Sequence, residues 1–179
     1  MPEGSPLAEF LPGDKLKGRT RLVAMEMARL VGGRLPKRLL GYLGAKTDGK
    51  LKDVILVATT DETNTPHMAM LSHWEVYAAS SKSIRLATYD DSRTTRNMRR
   101  NGRVTLVAIS RQMAYYVKGL ASLRKERMRE DPHNSMFVVE VKEVYEDVLP
   151  GTKILSGITF SKARSIEPHE ALRAELTRG

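Results

Sequence analysis

Ser92, Arg93, Thr94 and Thr95 follow one another where an apolar run, Ile84 to Thr88, gives way to a basic one. The local reading is strand, a polar turn through Asp90 and Asp91, then a helix predicted over Ser92 to Arg100. Hydroxyls, a guanidinium and the unpaired N–H groups of a helix's first turn converge at such a junction. That donor set suits a phosphate. Arginine gives a paired contact, the hydroxyls add directional bonds, and the helix dipole favours an anion by roughly 0.3–1 kcal/mol. Asp90 and Asp91 oppose this unless they turn away or cap the helix. The plain alternative is that Asp91 or Ser92 caps a surface helix, and this segment alone leaves the two readings balanced.

The elements that must position these residues read as follows. Residues 1–14, rich in Pro and Gly, form an irregular arm. Leu16, Leu22, Val23, Met27, Leu30 and Val31 recur at roughly helical spacing, which predicts a helix from 16 to 31 stopped by Gly32-Gly33. Pro36 opens a second short helix, Lys37 to Tyr42, ended by Gly44. From Asp53 the pattern changes. Val54 to Thr59 and Pro66 to Trp74 are extended runs joined by a polar turn, which predicts a hairpin. Further strands are Ile84 to Thr88, Val104 to Ile109, residues 112–121 and Met136 to Tyr145, and the charged stretch 122–134 reads as helix plus loop. A weak helical pattern runs from Pro168 to Leu176. About six strands with a single inserted helix predict a mainly β chain, an antiparallel Greek-key barrel with N-terminal helices. The expected organisation is an N-terminal arm with helices over 1–52, a barrel over 53–146 and an extension over 147–179 that belongs to the same domain.

Composition narrows the chemistry. There is no cysteine, which excludes disulfides, thiol catalysis and cysteine-bound metal centres. The four histidines are scattered, so no metal site is expected. No secretory signal and no apolar run of roughly 20 residues is visible, and a cytoplasmic protein without a membrane span is expected. The net charge of +9 suits an anionic partner, and Arg93, Arg96, Arg99, Arg100 and Arg103 cluster. A nucleic-acid-binding small barrel is therefore one alternative. Against it, aromatics make up only 6% of the chain and are not interleaved with basic residues as a base-stacking platform needs. No residue reads as a nucleophile or general base, so no catalytic residue is assigned.

Three segments, in this order, carry a resemblance. They are Pro66-His67-Met68-Ala69-Met70-Leu71-Ser72, then Thr88-Tyr89-Asp90-Asp91-Ser92-Arg93-Thr94, then Arg111-Gln112-Met113 ahead of Lys118-Gly119. Together they resemble the pyridoxamine 5′-phosphate oxidase-like family of flavin-binding split β-barrels, over residues 53–145. The resemblance implies a homodimer with FMN at the subunit interface and a small-molecule substrate. Carried over by position, Ser92, Arg93 and Thr94 hold the phosphate and Thr88 contributes from its strand end, while Thr95 joins them from the donor set read above. Main-chain groups of Met68, Ala69, Met70, Leu71 and Ser72 face the ring's polar edge, and Gln112 is a further contact. The same fold also carries deazaflavin or haem in relatives. Ala69 stands where the oxidases have an arginine, Asn101-Gly102 stands where Asn-Pro is common, and the C-terminus lacks their Trp-containing tail. These departures point away from vitamin B6 oxidation and towards a generic FMN-dependent oxidoreductase, whose hydride chemistry belongs to the cofactor.

Overall fold

The computed structural model describes residues 28–45, 53–148, 151–161 and 167–179. The helix expected from 16 to 31 falls mostly outside them, and its last residues prove to be strand. Arg29–Gly32 is β1, paired with the end of the last strand through Leu30 and Tyr145, with Arg29 and Glu146 in an ion pair at 3.1 Å. The apolar spacing there reflects a sheet partner more than 100 residues downstream, which local periodicity does not reveal. The second helix is where Pro36 places it: α1 (Lys37–Gly44) buries Leu39 and Leu43, four residues apart and so on one face.

The sheet comprises β2 (Ile55–Thr60), β3 (Pro66–Leu71), β4 (Val76–Ser80), β5 (Ser83–Tyr89), β6 (Arg103–Ser110), β7 (Met113–Lys125) and β8 (Asn134–Glu146), with β1 joining β8. Every pairing is antiparallel. There are eight strands against the six expected, because β1 and the five-residue β4 lack a strong alternating signal of their own. Between β5 and β6 lies α2 (Arg93–Asn101), the one helix inserted among the strands.

The strand order β3-β2-β6-β7-β8-β5-β4 has a geometric consequence. Its two outermost strands are consecutive in the chain, joined only by residues 72–75. In a flat sheet those edges would stand roughly 29 Å apart, at about 4.8 Å per strand. A link of this length reaches at most about 18 Å. The sheet must therefore roll up, and it does so around one core. Ile55, Val57, Leu106, Ala108, Val117, Phe137, Val139 and Leu86 fill the interior, joined by Leu39 and Leu43 of α1 and by Leu35 just before it.

The stretch 122–134 corrects the sequence reading. It is not helical: β7 continues to Lys125, with Ala121, Ser122 and Leu123 paired to Val139, Val138 and Phe137 of β8. Charged residues there favour helix locally, but the ladder offered by β8 overrides that preference. The C-terminal helix α3 (Glu167–Arg178) is present and packs outside the barrel. Leu172 and Leu176 cover Ala87, Met128 and Met136. Arg173 is buried and donates to the carbonyls of Leu43 at 2.8 Å and Ala45 at 3.1 Å, and to that of Val76, so it caps the C-terminal end of α1. Glu175 accepts from Lys125 Nζ at 2.9 Å and from the N–H groups of Arg129 at 3.1 Å and Glu130 at 2.9 Å, which fixes the β7–β8 connection.

Candidate anion site at the start of helix α2

Ser92 has an extended backbone and caps α2, its Oγ accepting from Thr95 N–H at 3.1 Å. Thr95 is the hub of the turn. Its hydroxyl donates to the Tyr89 carbonyl at 2.7 Å, which uses its only proton. Thr88 Oγ1, 2.7 Å away, must then be the donor to Thr95, and Ser92 Oγ donates to it at 3.1 Å. One donation and two acceptances exhaust Thr95, which is wholly buried. The hydroxyls of Thr88, placed on a phosphate by resemblance, and of Thr95, placed there by the donor set of the turn, are here bonded to each other and build the loop. Thr94 is buried too. The Arg93 side chain is exposed, and the N–H groups of Arg93 and Thr94 have no acceptor within the helix.

Arg93 lines a cavity of about 440 Å³ with Arg96, Asn97, Arg100, Asp61 and Glu62. Arginines at 93, 96 and 100 fall on one face of a helix, a signal legible in the sequence that the motif reading left unused. Among the described residues Arg93 makes no hydrogen bond or ion pair. Arg96 donates to the Asp91 carbonyl at 2.6 Å. Arg100 donates to the Thr60 carbonyl at 2.8 Å and to that of Asp61, while buried Asn97 donates to Thr59 Oγ1 at 3.0 Å. These bonds bolt α2 onto the β2–β3 hairpin.

Two of the acidic neighbours, Asp90 and Asp61, are occupied, while Asp91 and the cavity-lining Glu62 have no side-chain partner among the described residues. Asp90 accepts from Ser135 Oγ at 2.7 Å and pairs with Arg99 at 2.5 Å, and its N–H donates to the His133 carbonyl at 2.8 Å. The Ser135 hydroxyl first, then Arg99, hold its carboxyl below the usual carboxylate range. Asp61 Oδ1 accepts from the Thr63 hydroxyl at 2.7 Å and from the N–H groups of Thr63 and Thr65, both at 2.9 Å. Its carboxyl is likewise held low, by the Thr63 hydroxyl and the Thr65 N–H. The repulsion expected from Asp90 is thus answered by Arg99, on the far side of α2's basic face.

Met68, Ala69, Met70 and Leu71 lie on β3, which pairs on one side with β2 and whose other main-chain edge has no strand partner among the described residues. Met68 and Met70 point outward, 50% and 59% exposed, while Leu71 is buried. Ser72 belongs to the following turn, where its N–H and hydroxyl both donate to Glu75, at 2.7 and 2.8 Å. α2 packs against both strands of this hairpin, and the hairpin's turn residues Asp61 and Glu62 line the arginine cavity. Gln112 sits in the β6–β7 turn, a strand length of roughly 26 Å from the start of β6 that follows α2, at eight residues of about 3.3 Å each; the register sets Leu71 level with Ala108, so the end of β3 lies towards the Gln112 end of the barrel and its beginning towards α2.

The class of protein to which the fold points is an antiparallel barrel with one basic helix set against the hairpin of its edge strand. Comparison with known proteins agrees. Residues 50–175 match the family model described as pyridoxamine 5′-phosphate oxidase, and the chain belongs to that family. It is 28% identical over 115 residues to the uncharacterized protein YclD of Bacillus subtilis, an alignment covering 64% of this chain and 75% of that one. Among solved structures it is similar in fold to a Lactobacillus delbrueckii protein named for the same oxidase (TM-score 0.53, 16% identity, 66% of this chain and 98% of that one). It is also similar to a single-residue variant of HupZ from Group A Streptococcus (TM-score 0.51, 14% identity, 63% and 98%). Among the described residues no helix is long and apolar enough to cross a membrane, and no cluster of metal-ligating side chains occurs.

Proposed function

We propose that the chain binds FMN and is an FMN-dependent oxidoreductase acting on a small organic molecule, working as a homodimer. The observation that carries this reading is Arg93. It is a guanidinium without a described partner at an open helix N-terminus, lining a cavity, in a chain of this family. The donor set fits a phosphate monoester: one guanidinium able to give a paired contact, two N–H groups and a helix dipole. Arg96 and Arg100, already anchored to carbonyls, add positive potential without moving. Bound FMN supplies the redox chemistry. The protein's part is to grip the phosphate at α2 and to present the main-chain edge of β3 to a polar ring edge.

The dimer is supported by the sheet register. Leu30, Tyr145, Tyr116, Val107, Leu56 and Met70 stand side by side on the outer face, one on each of six strands. The two ends of this row, Leu30 and Met70, are 55% and 59% exposed. A continuous apolar row on the outside of a barrel is a surface that a twofold copy can cover. The test is the visible spectrum of the purified chain, before and after addition of FMN. A flavin spectrum or saturable FMN binding is expected. Colourless protein that does not take up FMN overturns the reading.

A further inference from the structure

We propose that the cavity between the turn before α2 and the β7–β8 connection is a binding site for a free α-amino acid with an aromatic side chain. The cavity measures about 400 Å³ and is lined by Tyr89, Asp90, Asp91, Arg127, Pro132 and His133. A volume of this order falls among small-molecule sites, roughly 300–1,000 Å³. It shares no residue with the arginine cavity, with the groups assigned to the flavin or with the outer row of six strands, so the proposal goes beyond the FMN reading.

Its two walls are tied to each other by the backbone. Asp90 N–H donates to the His133 carbonyl at 2.8 Å, and Ser92 N–H donates to the Tyr89 carbonyl at 3.0 Å, which closes the turn through Asp90 and Asp91. On the opposite wall, Asp131 accepts from His133 N–H at 3.1 Å and from Asn134 Nδ2 at 2.8 Å. Met128 N–H donates to the Asn134 carbonyl at 2.8 Å across the same connection, and Glu175 of α3 holds the N–H groups of Arg129 and Glu130. The cavity is therefore framed by bonds that do not use the side chains of Asp91, Arg127 or His133.

The charges left unpaired in the lining set the ligand's chemistry. Asp90 is already neutralised, by Arg99 at 2.5 Å and by the Ser135 hydroxyl at 2.7 Å. Asp91 and Arg127 are both exposed, and neither side chain makes a hydrogen bond or an ion pair among the described residues. They line one cavity without meeting in an ion pair, so each keeps its charge for a group placed between them. A carboxylate and a guanidinium held apart match the ammonium and the carboxylate of a zwitterion. A phosphate monoester is disfavoured here, because it would meet two carboxylates, Asp90 and Asp91, against one unpaired guanidinium. Tyr89, at the outer end of β5, is 63% exposed and packs on no other aromatic ring among the described residues. With Pro132 it offers an apolar surface on which a planar side chain can stack, and His133 adds a ring nitrogen able to bond the ligand's polar end.

The test titrates L-phenylalanine into the whole chain as purified and follows the amide signals of Tyr89, Asp91 and His133 by NMR. Two fragments serve as comparisons: 3-phenylpropionate, which lacks the ammonium, and phenethylamine, which lacks the carboxylate. The amino acid is expected to shift these signals and to bind about tenfold or more tightly than either fragment. Asp91→Asn is expected to bring it to the level of 3-phenylpropionate, and Arg127→Met to the level of phenethylamine. Both positions are exposed, so both variants keep the fold. Arg93→Ala, in the other cavity, is expected to leave amino-acid binding unchanged. The proposal is overturned by signals that stay still up to about 10 mM L-phenylalanine, by a fragment that binds as tightly as the amino acid, by full binding in Asp91→Asn or Arg127→Met, or by loss of binding in Arg93→Ala. None of these readouts depends on FMN, so failure here and failure of the flavin reading are told apart.

Discussion

Arg93 and Arg100 line one cavity, yet their roles differ because Arg100 already serves two backbone carbonyls of the β2–β3 turn. Arg93→Ala is expected to weaken FMN binding by about thirtyfold or more, the lower end of what removal of a bonded charge costs. Arg100→Ala is expected to change it by less than about threefold and instead to lower stability slightly. Fluorescence titration of both variants decides, and equal loss in both would count against Arg93 as the phosphate ligand. His73 makes a separate residue-scale case. It is fully buried in the turn after β3, edge-on to Tyr42, and neither ring nitrogen has a hydrogen-bond partner. Burial first, then the Arg173 charge, lower its pKa from 6.5 to about 4. Between those values the unfolded chain takes up a proton that the folded chain refuses. Its contribution to stability is therefore intact above pH 6.5 and is lost as pH falls towards 4, by up to about 3 kcal/mol. Urea unfolding across this range should show a shallower pH slope in His73→Phe than in the wild type. Identical slopes would mean that His73 does not titrate this way.

At the scale of the element, the turn into α2 is held by hydroxyls rather than by apolar packing. Thr95→Val keeps the shape and removes the hub, leaving the Tyr89 carbonyl and the Thr88 and Ser92 hydroxyls short of a partner. A loss of about 1–3 kcal/mol is expected in urea unfolding. Thr94→Val, at a buried position outside this network, is expected to stay within about 0.5 kcal/mol. Similar losses in both would show that burial, not the hydrogen-bond hub, sets the stability of the turn. The helix itself was legible: the expected span, Ser92 to Arg100, agrees with Arg93–Asn101, and Ser92 is its cap. Gly102 adopts a left-handed backbone (φ 66°), and a Cβ there would come within 2.7 Å of the Ala121 carbonyl. What Thr95 does was not legible, because Ser-Arg-Thr-Thr shows three hydroxyls without showing which of them face inward. Nor was the length of β7, since its partner residues on β8 lie beyond the reach of any local pattern.

Across the whole molecule, the rolled sheet turns separate strand patterns into continuous surfaces. The outer row from Leu30 to Met70 spans six strands and exists only because the register aligns them. Val107 sits at its middle. Val107→Glu is expected to convert a dimer into a monomer, read as a halved mass in light scattering, with the fold kept in circular dichroism. A wild-type chain that is monomeric at micromolar concentration would remove the dimer from the proposal. Gln112 and Arg93, both drawn to one cofactor by motif, are separated in a single chain by the length of β6, which runs from the end of α2 to the turn that holds Gln112. In a homodimer they could meet only across the interface.

Alternation, turn residues and caps were enough, by themselves, to establish an antiparallel β chain with a basic helix between two strands, and to mark Arg93 at that helix's start. These are near-neighbour properties, set by backbone sterics and the two periodicities of side-chain direction. Only the tertiary structure decided which hydroxyls were already bonded, which acids were paired, where β7 stopped and which apolar residues formed one outer row. Each of those depends on partners distant in sequence, and hydrogen-bond valence and strand register are settled only when those partners meet.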